Sequence, residues 1–315
     1  MRNQEEGITG FDLAAKLHLT DPDRAVLIKI NGEEKDFTTP LREGDEVEFV
    51  DFDDPRGKYT FWHTSAHILA QAILRLYSNA KPTIGPPIET GFYYDFADLS
   101  ISENDFPVIE AEMEKVIKEN YQPSRVVYKD KREAKNAFVN NPFKLELIDS
   151  LEDAGEISSY AQGEFVDLCR GPHIGNLGKV KAIKLMKTSA AYWRGDNTRE
   201  MLTRIYGVSF PDRKMLKEYL NFLEEAKKRD HRILGNKLDL FTFFDAAPGM
   251  PVIKPHGMII WNRLLDFWRE LHRKAGYIEI KTPTMLDKSL WVTSGHWENY
   301  RENMYTLELE KAEYA

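Results

Sequence analysis

Apolar and polar positions along this chain change period from stretch to stretch, and the changes mark its elements. From Phe61 to Tyr77 the residues Phe61, Ile68, Leu69, Ile73, Leu74 and Leu76 recur near helical spacing and predict a helix. Thr9 to Leu17, Phe106 to Asn120 and Met258 to Ala275 read as further amphipathic helices, and Asp212 to Arg232 as a long charged one. Ala25 to Ile30 has strand composition and ends in Asn31-Gly32, a strong hairpin turn. Glu46 to Val50 alternates polar with apolar residues, as do Gly276 to Pro283, and both predict strands. Phe92 to Phe96 and Phe165 to Cys169 have strand composition too, the latter followed by a turn at Arg170-Gly171-Pro172. The acids, proline and glycine of Asp51 to Lys58 suggest a linker, and Lys81 to Pro87 and Pro248 to Pro251 are breaks. The fold class expected is α+β, and 315 residues suffice for two or three domains.

Composition narrows the setting. A 42% hydrophobic content is ordinary for a chain that buries a core. No run of eighteen apolar residues occurs, so no membrane partner is expected, and Met1 to Glu6 has no apolar leader. A single cysteine excludes an internal disulfide and fits a reducing, cytoplasmic location. The net charge of −8 is unevenly spread: Lys179 to Lys237 holds 15 Lys/Arg against 7 Asp/Glu, a local +8 that leaves −16 elsewhere. Such a stretch can meet a phosphate backbone in an acidic protein, or it can be a solvated helix face.

The chemistry concentrates in two strings. His63 and His67 stand four apart on the predicted helix and so share a face. About 100 residues later, Cys169 and His173 repeat that spacing and use the only cysteine. Three of the eight histidines lie in these two strings. One thiolate and three neutral imidazoles can hold zinc, with or without an open position, or the imidazoles can orient water and move protons without a metal. The bland alternative is an exposed histidine pair and a cysteine packed as a small hydrophobe; position 64 is Thr64, where the zinc-protease pattern has glutamate. Asp167, two residues before Cys169 on the predicted strand, faces the same side and can orient or charge an imidazole. Lys144 can offset charge developing on an ester oxygen or meet a phosphate, although most lysines are simply solvated.

These residues match a family. His63 to His67, Ile84-Gly85-Pro86-Pro87-Ile88, Gly91 to Asp95, Val166 to His173, Leu185 to Asp196, Arg229 to Arg232 with Leu238 to Leu240, and Ser294 to Tyr300 together resemble the N-terminal half of bacterial threonyl-tRNA synthetases. The resemblance implies a β-grasp-like TGS module over 1–52, apparently without its first hairpin, and a tRNA-editing domain over 53–211. It further implies a linker helix over 212–232 and the beginning of a class II synthetase core over 233–315, with Gly276 to Pro283 as the first class II motif, a contributor to the dimer interface. It implies that His63, His67, Lys144, Asp167, Cys169 and His173 carry the editing hydrolysis of seryl-tRNA mischarged on threonine tRNA. Gly85, Tyr94 and Arg170 would contact the amino acid or the terminal adenosine. The basic stretch after Lys179 would face the acceptor stem. Alanyl-tRNA editing domains carry a similar cluster and bind zinc; the threonyl kind is expected to use ordered water and no metal. The complete enzyme would join threonine to its tRNA with ATP, magnesium and zinc, as a cytoplasmic homodimer. Its zinc ligands would lie beyond residue 315, so the chain by itself is expected to edit and not to charge tRNA. Two other readings are a free-standing alanyl-type editing hydrolase, which the residues from Asp230 onward disfavour, and a non-catalytic RNA-binding paralogue, which the intact cluster disfavours.

Overall fold

The computed structural model describes residues 8–17, 25–151, 156–309 and 312–314. The N-terminal stretch without an apolar leader lies outside them. The chain forms two compact units, Met1–Glu224 and Glu225–Ala315.

The first unit begins with α1 (Gly10–Lys16), started by a capping box in which Thr9 and Asp12 satisfy each other's backbone N–H groups. β1 (Ala25–Ile30) turns through Asn31 and Gly32, both at positive φ (54° and 82°), into β2 (Glu33–Lys35). β3 (Val47–Asp51) pairs antiparallel along the other edge of β1. The expected linker after it is absent. Asp54 caps α2 (Pro55–Leu76) by accepting from Arg56 N, and Pro55 supplies a helical φ at the first position. The helix therefore starts at Pro55 instead of Phe61, because cap chemistry rather than apolar spacing sets its first turn. Gly57 makes this possible: a Cβ there would lie 1.8 Å from the Asp51 carbonyl oxygen.

Through its middle α2 is buried nearly all round, with Phe61, Trp62, Ser65, Ala66, Ile68, Leu69 and Ile73 inside and His63 half-buried. β4 (Lys81–Pro82), β5 (Pro87–Ile88) and β6 (Gly91–Ala97) follow. Next come α3 (Phe106–Glu119), ended by Asn120 in the left-handed conformation, then β7 (Ser124–Tyr128) and α4 (Lys131–Ala137). α5 (Pro142–Asp149) is capped by Asn141, whose side chain accepts from Phe143 N and Lys144 N. β8 (Ile157–Gln162), β9 (Phe165–Leu168), β10 (Ala182–Tyr192), β11 (Met201–Phe210) and α6 (Arg213–Lys228) complete the series. Among the described residues the sheets are antiparallel, in the orders β2-β1-β3, β10-β11-β6-β4 with β5 added to β6, and β7-β8-β9. One apolar core joins α2, β6 (Phe92, Tyr94, Phe96), α3 (Ile109, Met113, Val116) and β11 (Ile205, Val208) to Val26, Leu27 and Val50 of the N-terminal sheet. Each fully buried Leu or Phe there contributes about 1.5–3 kcal/mol. This core fixes α2 in place, and with it both histidines of the first string.

Two expectations fail near and within the second unit. The single helix through Arg232 is two: α6 stops at Lys228, and α7 (His231–Lys237) restarts where the Asp230 carboxylate accepts from Arg232 N. β12 (Phe241–Thr242) and β13 (Val252–Ile253) form a small pair before α8 (Pro255–Lys274). Gly276 to Pro283 forms no strand. Alternation marks a strand only where a partner supplies the ladder, and Ile278 and Ile280 are 87% and 78% exposed. α9 (Lys288–Thr293), α10 (His296–Tyr300) and the pair β14 (Leu307–Leu309) and β15 (Ala312–Tyr314) close the unit. Among the described residues no helix is long and apolar enough to cross a membrane.

Candidate active site

Four elements of the first unit converge on one spot. α2 presents His63 and His67, one turn apart. β9 presents Asp167, and the segment after it presents Cys169 and His173. α5 contributes Lys144, and β6 contributes Tyr94. One ligand atom from each of His63, His67, Cys169 and His173 lies within 4.8 Å of the other three. The His173 ring centroid is 4.5 Å from that of His63 and 4.4 Å from that of His67. The turn that delivers His173 depends on Gly171, which sits at φ +66° against Tyr160, where a Cβ would lie 2.1 Å from the tyrosine hydroxyl oxygen. His67 and His173 are buried, whereas His63 and Cys169 are half-buried and Arg170 is exposed, so the cluster opens on their side.

Burial governs the protonation of the cluster. It holds His63 down to about 4, against an opposing pull from Asp167, and it holds His67 and His173 well below the ordinary imidazole value. All three imidazoles are neutral at pH 7. Burial, followed by the Asp167 charge, pushes the Cys169 thiol far up, so a neutral thiol faces His173 Nε2 at 3.2 Å.

Beside the cluster lies a buried charged triad. Lys144 and Asp167, 2% and 3% exposed, form an ion pair, and Tyr94 donates from its hydroxyl to Asp167 Oδ2. Lys144 Nζ also donates to the Tyr94 hydroxyl at 3.3 Å, and Leu168 N donates to Asp167 Oδ1 at 2.8 Å. Asp167 Oδ2 stands 3.5 Å from His67 Nε2 and links the triad to the imidazoles. Asp167 thus has both oxygens occupied, while Lys144 spends two of its three ammonium protons on these partners. Tyr94 is fully buried, its phenol pushed well up by burial and then by Asp167. Gly85 packs on the face of that ring, where a Cβ would come within 2.1 Å of a ring carbon. A cleft of about 750 Å³ reaches Lys144 and Asp167 past Pro82 and Asn141.

The structure therefore gathers His63, His67, Lys144, Asp167, Cys169, His173 and Tyr94, places Gly85 behind Tyr94, and leaves Arg170 at the open edge. Three supporting residues escaped the sequence reading. Thr64 lies inside the first string and bonds His173 Nδ1 at 3.0 Å. Tyr160 places its ring 4.4 Å from the His173 ring. Asp36, from the N-terminal sheet region, accepts from the Tyr160 hydroxyl at 2.7 Å and from His173 N at 3.0 Å. Thr64 was readable as a polar residue on a buried helix face. Nothing near Asp36 in the sequence announces a partner more than 100 positions away.

One thiol and three imidazoles so close fit a tetrahedral zinc site, and neutral imidazoles beside an ammonium fit hydrolysis of an ester by water. Known proteins narrow this choice. Residues 157–206 match the family described as the threonyl and alanyl tRNA synthetase second additional domain, and residues 3–51 match the TGS domain. A threonine–tRNA ligase of Protochlamydia amoebophila is 59% identical over 309 residues, covering 98% of this chain and 48% of the relative. One from Chlamydia trachomatis is 56% identical over 310 residues with the same coverage. A solved structure, the RNA binding domain of threonyl-tRNA synthetase from Cryptosporidium parvum, is 40% identical over 27% of this chain and 22% of its own, with a TM-score of 0.27. The chain spans about half the length of the curated relatives it matches. Over nearly all of its own length it is homologous to bacterial threonine–tRNA ligases.

Proposed function

We propose that this chain is the proofreading part of a threonyl-tRNA synthetase and that its cluster hydrolyses serine from threonine tRNA. The reading divides the chain into a TGS module over 1–52, an editing domain over 53–211, a linker over 212–232 and the start of a class II core from 233 to 315. The complete enzyme would attach threonine to its tRNA in the cytoplasm using ATP and magnesium, as a homodimer, with zinc in a synthetic core beyond these residues. The observation that carries the reading is the convergence of three neutral imidazoles and a thiol on the buried Lys144–Asp167–Tyr94 triad.

The chemistry follows from those groups. Serine is smaller than threonine by one methyl, and a synthetic pocket shaped for threonine rejects it by only about 1–3 kcal/mol. A second pocket too tight for that methyl removes the error. In it, water attacks the ester carbonyl carbon and gives a proton to a neutral imidazole. The carbon–oxygen bond to the ribose breaks, and the ribose oxygen leaves with a proton. His63, at the open side, is placed to orient that water. The third ammonium proton of Lys144 is available to a developing oxyanion. Asp167 and Tyr94 hold Lys144 and His67 in place, and Arg170 and Gly85 border the substrate. A basic stretch over 179–237 suits the phosphates of the acceptor stem.

We read the cluster as metal-free, with the three imidazoles orienting water and moving protons. Were zinc bound, His63, His67, Cys169 and His173 would hold it and it would polarise water. Metal analysis of protein purified without chelator tests this point: zinc in equal amount to the chain overturns the metal-free reading. A deacylation assay tests the function. Seryl-tRNA of threonine identity should lose serine well above the spontaneous rate, and threonyl-tRNA should survive. Release of serine at the spontaneous rate rejects the proposal.

A further inference from the structure

The hydroxyl of Thr64 has more neighbours than it can treat alike. It lies 3.0 Å from the Thr60 carbonyl oxygen, 3.1 Å from Ile174 N and 3.0 Å from His173 Nδ1, and the residue is wholly buried. A hydroxyl has one proton and two lone pairs. The Thr60 carbonyl can only accept and the Ile174 N–H can only donate, so the single proton points at Thr60 and one lone pair takes Ile174. His173 Nδ1 then faces the remaining lone pair. Two lone pairs at 3.0 Å repel, so Nδ1 must carry a proton there. In a neutral imidazole that leaves Nε2 bare. Nε2 is the atom 3.2 Å from Cys169 Sγ, at the centre of the cluster.

We infer that Thr64 is a positioning residue that locks His173 in the Nδ1–H tautomer and so aims the Nε2 lone pair into the cluster. The opposite tautomer would need the Thr64 proton for Nδ1, leaving the Thr60 and Thr64 oxygens facing each other with no proton between them. Asp36 reinforces the arrangement by holding the backbone N–H of His173, and the Tyr160 ring covers the imidazole. The string around His63 and His67 therefore serves the site three times. Its histidines supply two imidazoles, and the threonine between them sets the third.

The kinetic consequence rests on the proposed serine hydrolysis; the tautomer does not. The test uses the full chain with 15N-labelled histidine, the His173 signals being assigned by their loss in His173→Gln. Nitrogen shifts should show a protonated Nδ1 and a bare Nε2 at neutral pH. Thr64→Val keeps the shape and removes the hydroxyl, and should move His173 toward the other tautomer and slow serine release about 10–100-fold. Thr64→Ser should restore both. A protonated Nε2 in the unsubstituted chain overturns the inference even if both variants fail to fold, as does a Val variant with unchanged shifts. A Val variant that shifts tautomer with unchanged release overturns the positioning role. If the unsubstituted chain releases no serine, the hydrolytic reading falls while the nitrogen shifts still judge the tautomer.

Discussion

At the scale of single residues, the site is dominated by what burial does to charge. Lys144 and Asp167 exist as a pair because neither could be carried into the interior alone. Lys144→Met leaves the Asp167 carboxylate without its cation, and we expect a loss of about 3–5 kcal/mol in urea unfolding. Adding Asp167→Asn to that variant should recover part of the loss, since the orphaned charge is gone. A Met variant as stable as the parent chain would mean that water reaches the pair. Sequence reading singled out Cys169 and the three histidines by chemistry and spacing, with Asp167 beside Cys169, and Lys144 only through the family resemblance. It did not identify Tyr160 or Asp36, whose roles arise only from packing against His173. The family resemblance assigns Tyr94 to substrate contact; its hydroxyl is engaged with Asp167 and Lys144.

At the scale of elements, α2 carries the site, and its first turn is the least tolerant part. Asp54 caps it, and Gly57 lets it pass against the end of β3. Gly57→Ala would force backbone apart from backbone and should cost about 1–3 kcal/mol or more. Asp54→Ala should cost about 1 kcal/mol, the value of a lost cap. Chemical denaturation of both variants checks the order; an alanine at 57 that costs less than one at 54 would show that the junction is looser than the geometry implies. The apolar spacing predicted this helix but not its start, because the first turn is held by a cap and by a close approach, neither of which has a period. Gly276 to Pro283 is the converse: a strand-like alternation with no ladder to join among the described residues.

At the scale of the whole molecule, the N-terminal sheet and the site-bearing region share one core, and Asp36 ties the former to His173. Stability should respond to acid through the histidine cluster. An unfolded chain takes up protons on these imidazoles near 6.5, whereas folded His63 resists down to about 4 and His67 and His173 are also held low. Between those values the unfolded state binds more protons, so stability is complete above about 6.5 and falls as the pH drops toward 4. Asp36 and Asp95, held above the ordinary carboxylate value mainly by burial, act in the opposite sense near the lower end. Urea midpoints of the first unit at pH 7, 5.5 and 4.5 should decline in that order. A flat series would require the imidazoles to be solvated.

The sequence by itself determined the α+β class, the main helices and strands of the first unit, and which histidines and cysteine are candidates for chemistry, because periodicity and side-chain chemistry are local properties. Only the tertiary structure decided that two strings about 100 residues apart meet, that their imidazoles are neutral, and that Thr64 and Asp36 belong to the site. Those outcomes depend on desolvation and on hydrogen-bond partners brought by distant elements, and neither exists until the chain is packed.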